Sequence, residues 1–485
     1  MRSRTETVKK KSLDRGWKMM TADQFDKLDK RKRSGKPGEM PRWLVALVDV
    51  SLVSLGFYLA FISATGELQG LQIESLIILF PPLLLITVLL FGNLGLYSQQ
   101  RGGIMPIIRA LITGVIVIDL LSVMLAFWTR AFVLDRLIFI LAPLYQLLLL
   151  LGWRILFWYL EMWINGQKRL LVIGSRSDAE RALEKITSLP KGIFEVIRVM
   201  PPADLKELPE ALEEADAVMI AGSLDMEEKN LVVRESFNRS REVFIIPDLY
   251  EIILTRAMMT QVDDTPVIEC HDMQLDFLQL AVKRLFDLLL ALALGLVSLP
   301  VLLLLGLAIR LDSPGPAIYS QERVGLRGNI FTLYKLRTML VDAEDASGPV
   351  LSNEEDDRVT RVGRFLRSSR LDELPQLYNV LRGDLSIVGP RPERPYFVTR
   401  FQEEMPEYGL RHLVKPGITG LAQVAGYYAT NTRDKLRYDL YYVADYSLLL
   451  DFRILLLTVP TIFNREAARG LRKEIEERAD LARFE

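Results

Sequence analysis

Four apolar runs, at residues 43–64, 73–91, 106–128 and 137–160, each approach the roughly 20 residues that a helix needs to cross ~30 Å of hydrocarbon. In lipid every backbone N–H and C=O must be paired within its own segment, so each run is expected to be a helix and the four together a bundle. Composition agrees: 50% of the 485 residues are hydrophobic while 25% are charged, which suits a membrane protein with large water-facing parts. At this length about three structural units are expected. Cations orient the bundle. They crowd the basic segment 1–42, Arg101 and Arg109 flank the second loop, and Lys168 and Arg169 follow the fourth run, whereas the first loop offers only Glu67. The third loop, with Arg130 and Arg136 beside Asp135, is less asymmetric. The positive-inside rule then places both ends of the bundle in the cytoplasm. The segment 1–42 reads as a cytoplasmic tail able to touch anionic lipid, not as a secretory signal, because no apolar stretch with a small-residue cleavage site follows. Asp49 and Asp119 fall inside runs, where an ionisable group is costly; a helix-contact role is favoured over transport.

Several function classes are excluded by counting. With 60 Lys+Arg against 61 Asp+Glu the formal charge is -1, which argues against a nucleic-acid-coating protein. One Cys and two His (Cys270, His271, His412) cannot supply a disulfide scaffold, a zinc finger or an HExxH protease.

After Lys168 the pattern changes to short β-rich runs alternating with helical segments, as expected of a small parallel α/β domain of Rossmann type over 166–270. Its first strand ends in Gly174-Ser175-Arg176-Ser177-Asp178, one glycine where a dinucleotide fingerprint needs three, so a structural or regulatory role is favoured over cofactor binding. A Tyr-x-x-x-Lys pair, which an NAD-linked sugar dehydratase would need, is absent between Lys168 and Cys270.

A second apolar region, 281–311, is long enough to span, but cations flank both sides and Ser298 and Pro300 lie near its middle. Proline removes a donor and clashes with the preceding turn, and a nearby serine hydroxyl can satisfy the freed carbonyl. A helix broken there, over about 285–310, would leave on the face it entered and keep everything after Asp312 cytoplasmic. The apolar stretch 447–463, carrying Asp451 and Arg453, reads as an interfacial helix, and 465–485 as a solvated charged helix.

Beyond the second apolar region stand Lys335-Leu336-Arg337-Thr338-Met339, then Arg361, Arg364 and Arg367 at helical spacing, leading into Leu371-Asp372-Glu373-Leu374-Pro375-Gln376-Leu377. Gly383 to Pro392 (GDLSIVGPRP) and Lys415 to Val424 (KPGITGLAQV) follow. Adjacent carboxylates amid guanidinium groups suit phosphoryl chemistry, although an Asp-Glu pair alone is as readily the acidic start of a helix. Taken in order, these strings resemble the catalytic domain of the bacterial sugar transferases, the monotopic polyprenyl-phosphate phosphoglycosyl transferases. The preceding runs and α/β domain resemble the large, undecaprenyl-phosphate hexose phosphotransferase branch.

The resemblance implies a cytoplasmic catalytic domain over 271–464, anchored by a re-entrant helix broken at Ser298 and Pro300, although this chain has Ser-Leu-Pro where the family has an adjacent Ser-Pro. It implies transfer of hexose 1-phosphate, glucose or galactose, from a UDP-sugar to undecaprenyl phosphate, as the first membrane step of exopolysaccharide, capsule or O-antigen synthesis. Asp372 is implied as nucleophile, and Glu373 as its catalytic partner and ligand of Mg2+. Lys335 and Arg367 are candidates for the phosphates, Arg391 for the nucleotide, and Arg337 is a further substrate-binding candidate. Membrane lipids are expected partners, nucleic acid is not, and the bundle and α/β domain offer surface for a homodimer. A non-catalytic scaffold retaining the fold is the competing class, and the intact Asp372-Glu373 pair counts against it.

Overall fold

The computed structural model describes residues 41–66, 70–97, 104–128, 135–187, 194–222, 224–255, 257–270, 273, 275–341, 358–425 and 431–463. The basic tail, the C-terminal charged helix and His271 lie outside them. Two compact units divide the chain, one comprising 1–88, 97–108 and 121–246, the other 89–96, 109–120 and 247–485.

The four N-terminal runs are helices: α1 Arg42–Thr65, α2 Gly70–Asn93, α3 Ile104–Trp128 and α4 Arg136–Asn165. The start of α4 is set by Asp135, whose side chain accepts the Leu137 N–H at 2.9 Å. Among the described residues four helices are long and apolar enough to cross a membrane: α1, α3, α4 and the long helix of the second apolar region. Asp49 on α1 finds its partner 105 residues away, as a buried ion pair with Arg154 on α4. Gly56, two turns along, lets the helices close: a Cβ there would lie 2.6 Å from the Gln146 side chain. Asp49 therefore has the helix-contact role expected of it.

The α/β region follows as β1 Lys168–Ile173, α5 Arg176–Thr187, β2 Phe194–Met200, α6 Leu208–Glu214, β3 Ala217–Ile220, α7 Met226–Asn238 and β4 Glu242–Ile245. The sheet is wholly parallel, in the order β2-β1-β3-β4. Alternation along β1 sends Leu171 and Ile173 into one core, with Leu208, Leu212 and Val232, and Leu170 and Val172 into another, with Ala179 and Ala182. Both faces are covered, which is why β1 reads as a continuous apolar run. Gly174 is required by packing, since a Cβ would sit 2.0 Å from the Ala221 carbonyl oxygen.

The compact unit to which this sheet belongs runs to Ile246. The next helix, α8 Leu249–Leu254, belongs to the second unit: Ile252 is buried with Leu436 and Leu440, and Arg437 donates to the Pro247 carbonyl at 2.7 Å. An exposed antiparallel hairpin follows, β5 Met258–Val262 and β6 Thr265–Glu269.

The second apolar region is one 36-residue helical element, α9 Phe277–Asp312, begun by a reciprocal Asp276–Gln279 capping box. Pro300 lies within it, and the Ser298 hydroxyl donates to the Gly295 carbonyl at 3.3 Å. The carbonyl that Pro300 frees is that of Leu296, so the serine serves its neighbour. Both ends of α9 are bound to the body that follows, while Leu296, Val297, Leu303 and Leu304 between them are exposed. At its start Lys283 and Asp287 are buried; at its end Ile309 packs on Leu336 and Leu366, and Asp312 accepts the Val362 N–H at 3.2 Å.

The body consists of the hairpin β7 Ile318–Val324 and β8 Ile330–Leu336, α10 Arg361–Ser369, α11 Gln376–Arg382, β9 Ser386–Val388, α12 Pro395–Glu404, β10 Gly417–Thr419, α13 Thr432–Ala444 and α14 Leu448–Phe463. On α14, Leu449, Phe452 and Val459 face outward while Ile454 and Asp451 are fully buried. Asp451 is thus an internal anchor, its carboxylate 2.7 Å from the Lys283 ammonium and 2.7 Å from the Tyr442 hydroxyl. Asp451→Asn would leave that ammonium buried without its counter-charge. A loss of about 3 kcal/mol is expected, read as a lowered melting temperature of the detergent-solubilised protein.

Candidate active site

Apolar anchors on either side hold the Asp372-Glu373 pair in place. Helix α10 stops at Arg370, a non-glycine residue in the left-handed region (φ 55°), and the chain turns through a single 3-10 turn, Leu371–Glu373, before Pro375 and α11. Leu371 packs with the core of Ile309, Leu336 and Leu366, while Leu374 and Leu377 pack with Val380 and Leu385. The two acids are therefore fixed between two hydrophobic clusters. Their neighbour strand β8 is pinned by Asn379 of α11, fully buried, which accepts the Tyr334 N–H at 3.1 Å and donates to the Thr332 carbonyl at 2.7 Å.

That strand presents Lys335. Its ammonium lies 3.3 Å from Glu373 Oε1 and 3.9 Å from Asp372 Oδ2. Arg391 reaches the same Glu373 oxygen at 2.8 Å. Arg367 donates to Thr338 Oγ1 at 2.9 Å and bears electrostatically on Asp372. The structure thus brings Lys335, Asp372, Glu373 and Arg391 together, with Arg367 at their edge. Arg337 is committed elsewhere: it donates to the Pro314 and Ser313 carbonyls at 2.6 and 2.8 Å, bracing the turn after α9. Arg337 lies one residue beyond the end of β8, so its side chain follows the turn after α9 and not the face of the strand that carries Lys335.

The cations act unequally on the two acids. Burial raises the Asp372 carboxyl above the usual aspartate range, and Glu373 adds to the rise against the pull of Lys335, Arg391 and Arg367. For Glu373 burial also opposes ionisation, but Arg391 and Lys335 overcome it and hold the carboxyl well below its ordinary value. Burial in turn lowers Lys335, with Glu373 opposing. Two adjacent carboxylates are thereby pushed apart, the pattern of groups with different tasks. Among the described residues no group of three or more His, Cys, Asp or Glu could cage a metal ion. His412 is buried, and burial followed by the Arg411 charge pushes it down to about 4.

The loop bearing Arg391 is fixed by two arginines that sequence reading passed over. Arg411, in a buried pair with Asp439 at 2.7 Å, donates to the Arg391 carbonyl at 2.8 Å and to the Tyr408 hydroxyl at 2.7 Å. Arg323 donates to the Pro392 carbonyl at 3.1 Å. Glycines seat the loop on the KPGITG segment: a Cβ on Gly389 would lie 2.4 Å from the Lys415 carbonyl oxygen, and one on Gly420 2.2 Å from that of Gly389. A recess lined by Arg323, Leu333, Lys335, Gln376, Arg391 and Pro392 opens beside the acids.

A sequence profile described as bacterial sugar transferase matches residues 278–465, which include every residue of this cluster. A relative from Aeromonas hydrophila, named UDP-N-acetylgalactosamine-undecaprenyl-phosphate N-acetylgalactosaminephosphotransferase, is 45% identical over 192 residues, 39% of this chain and 45% of the relative. One from Escherichia coli, named UDP-glucose:undecaprenyl-phosphate glucose-1-phosphate transferase, is 37% identical over 242 residues, 49% of this chain and 52% of the relative. A protein of the same name from Caulobacter vibrioides is 46% identical over 191 residues, 38% of this chain and 71% of the relative. The matched stretch spans about half the length of the first two relatives.

Because Arg411 holds the Arg391 carbonyl, its replacement should loosen the loop before it disturbs anything distant. In Arg411→Lys, amide hydrogen exchange at Gly389 and Arg391 is expected to rise at least about tenfold, with α9 unchanged. Unchanged exchange at these amides would show that the glycine contacts alone hold the loop.

Proposed function

This chain belongs to the bacterial sugar transferase family, and on that premise we propose that it is an enzyme transferring hexose 1-phosphate from a UDP-sugar to undecaprenyl phosphate, yielding undecaprenyl-diphosphate-sugar and UMP. The supporting observation is the Asp372-Glu373 pair, its second member doubly paired to Lys335 and Arg391 and its first left with the higher proton affinity. Such a carboxylate is more basic than an ordinary aspartate, which favours it as a nucleophile.

The reaction runs in two displacements. An Asp372 oxygen attacks the sugar-proximal phosphorus; the bond from that phosphorus to the bridging oxygen breaks, and the oxygen leaves with UMP. The aspartyl phosphosugar is then attacked at the same phosphorus by a phosphate oxygen of undecaprenyl phosphate, returning Asp372 as carboxylate. Lys335, Arg367 and Arg391 neutralise phosphate charge, the main contribution a protein makes to phosphoryl transfer. Mg2+ is the proposed cofactor. Glu373, with donor phosphate oxygens, would hold it, a donor set that suits a hard cation; when bound it offsets charge on those oxygens. Glu373 Oε1 already faces Lys335 and Arg391, with which the metal would share that carboxylate.

The proposed setting is the bacterial cytoplasmic membrane, with the active site on the cytoplasmic face and α9 re-entrant. Support for this topology is that both ends of α9 pack on one body while its middle is exposed. The product class places the reaction at the start of a lipid-linked glycan. The named relatives carry glucose and N-acetylgalactosamine, so both belong in the donor panel with galactose.

With Mg2+ and radiolabelled UDP-sugars but no lipid, label is expected to remain on the protein as UMP is released. Asp372→Asn, an amide in place of the nucleophile, should lower transfer at least about a thousand-fold and take no label. Near-normal turnover in that variant would overturn the assignment of Asp372; lipid product without protein label would indicate one direct displacement. For topology, Glu322→Cys in a Cys270→Ser background should be shielded from an impermeant thiol reagent outside intact cells. Labelling there would make α9 a complete span.

A further inference from the structure

Lys335 and Arg391 both spend charge on Glu373, so a nucleoside diphosphate entering this site meets two cations already engaged. A third lies on the same surface. In the β7–β8 hairpin Tyr319 pairs with Lys335, Gln321 with Leu333 and Arg323 with Phe331, and with a period of two these residues share one face. Arg323 and Lys335 therefore project from the same side of the hairpin, and both line the recess with Arg391 and Gln376.

Arg323 is hydrogen-bonded to neutral groups and pairs with a carboxylate only at longer range. One terminal nitrogen donates to the Pro392 carbonyl at 3.1 Å, the other to Gln321 Oε1 at 2.8 Å, and its Nε is buried with no hydrogen-bond partner. The nearest carboxylate, Glu393, stands at 3.6 Å, outside hydrogen-bond range. Burial, with Arg391 and Arg394 as like charges, lowers its pKa to about 10 although Glu393 opposes the fall. A buried guanidinium beside like charges is costly, and Glu393 offsets that cost only in part, so a substrate anion would add to the pairing.

We infer that Arg323 is a further substrate-binding residue, whose guanidinium engages the phosphate that departs with the nucleotide. The choice of phosphate follows from position. The charges bearing on Asp372 are those of Lys335, Glu373, Arg391 and Arg367, whereas Arg323 bears on Lys335 and is bonded to the Pro392 carbonyl. A cation there is suited to charge building on a leaving group. The bonds to Gln321 and Pro392 hold the charge in place beside Lys335.

The inference rests on the proposed nucleotide donor, and UMP, the expected product, is the probe. With full-length protein in detergent, UMP affinity is measured by calorimetry for wild type, Arg323→Gln and Arg323→Lys, with the melting temperature of each as folding control. Arg323→Gln is expected to weaken UMP about tenfold and to raise the donor KM similarly, leaving the KM for undecaprenyl phosphate unchanged. Arg323→Lys, which keeps the charge but cannot span Gln321 and Pro392, should stay within about threefold of wild type. Wild-type UMP affinity in Arg323→Gln would overturn the inference and leave the proposed reaction standing. Equal loss in both variants would also overturn it, reducing Arg323 to a brace of the Arg391 loop. A wild-type protein that does not bind UMP would instead remove the nucleotide donor itself.

Discussion

The buried ammonium of Lys283 ties the long apolar helix to the strand from which Arg391 emerges. It donates to the Val388 carbonyl at 3.0 Å and to Asp451 at 2.7 Å, while Asp287, one turn on, accepts the Ile387 N–H at 3.1 Å. Tyr442, fully buried, closes the network with its hydroxyl against Asp451. In a low-dielectric interior these charges are tolerable only as a complete set, so α9, β9, α13 and α14 must assemble together. Gly389, Pro390 and Arg391 follow directly from β9, and the position of Arg391 is in this way referred back to the apolar helix.

The active-site cluster repeats the principle at smaller scale. Glu373 takes two cations on one oxygen and is thereby held anionic, while Asp372, one residue away and favoured by neither to the same degree, keeps a higher proton affinity. The Arg391 side chain can serve Glu373 because its backbone is held independently, by Arg411 at its own carbonyl and by Arg323 at the next. A loop between two prolines has few donors of its own, and guanidinium groups from β7 and from the segment before β10 supply them.

Much of this was legible in sequence because it depends on local chemistry. Runs of about 20 apolar residues become helices wherever backbone groups must be satisfied internally, and the alternation after Lys168 became a parallel sheet. Lys335, Asp372, Glu373, Arg367 and Arg391 stood in strings distinctive enough to be singled out. Arg337 shows the limit: two residues from Lys335 in the chain but past the end of β8, it holds the Ser313 and Pro314 carbonyls. The packing of α8 was equally hidden, since nothing local announces that Ile252 is buried against Leu436 and Leu440.

The sequence by itself determined which segments are apolar helices, where strands alternate, and which carboxylates and cations are available for chemistry, since each follows from periodicity, length or residue type. Tertiary structure decided who meets whom. The partners of Asp49, Lys283 and Arg411 lie 105, 168 and 28 residues away. Distances of that kind are set by the packing of whole elements, and it is packing that turned Asp451 from an interfacial charge into a core anchor, Arg337 into a brace and Arg323 into a face-mate of Lys335.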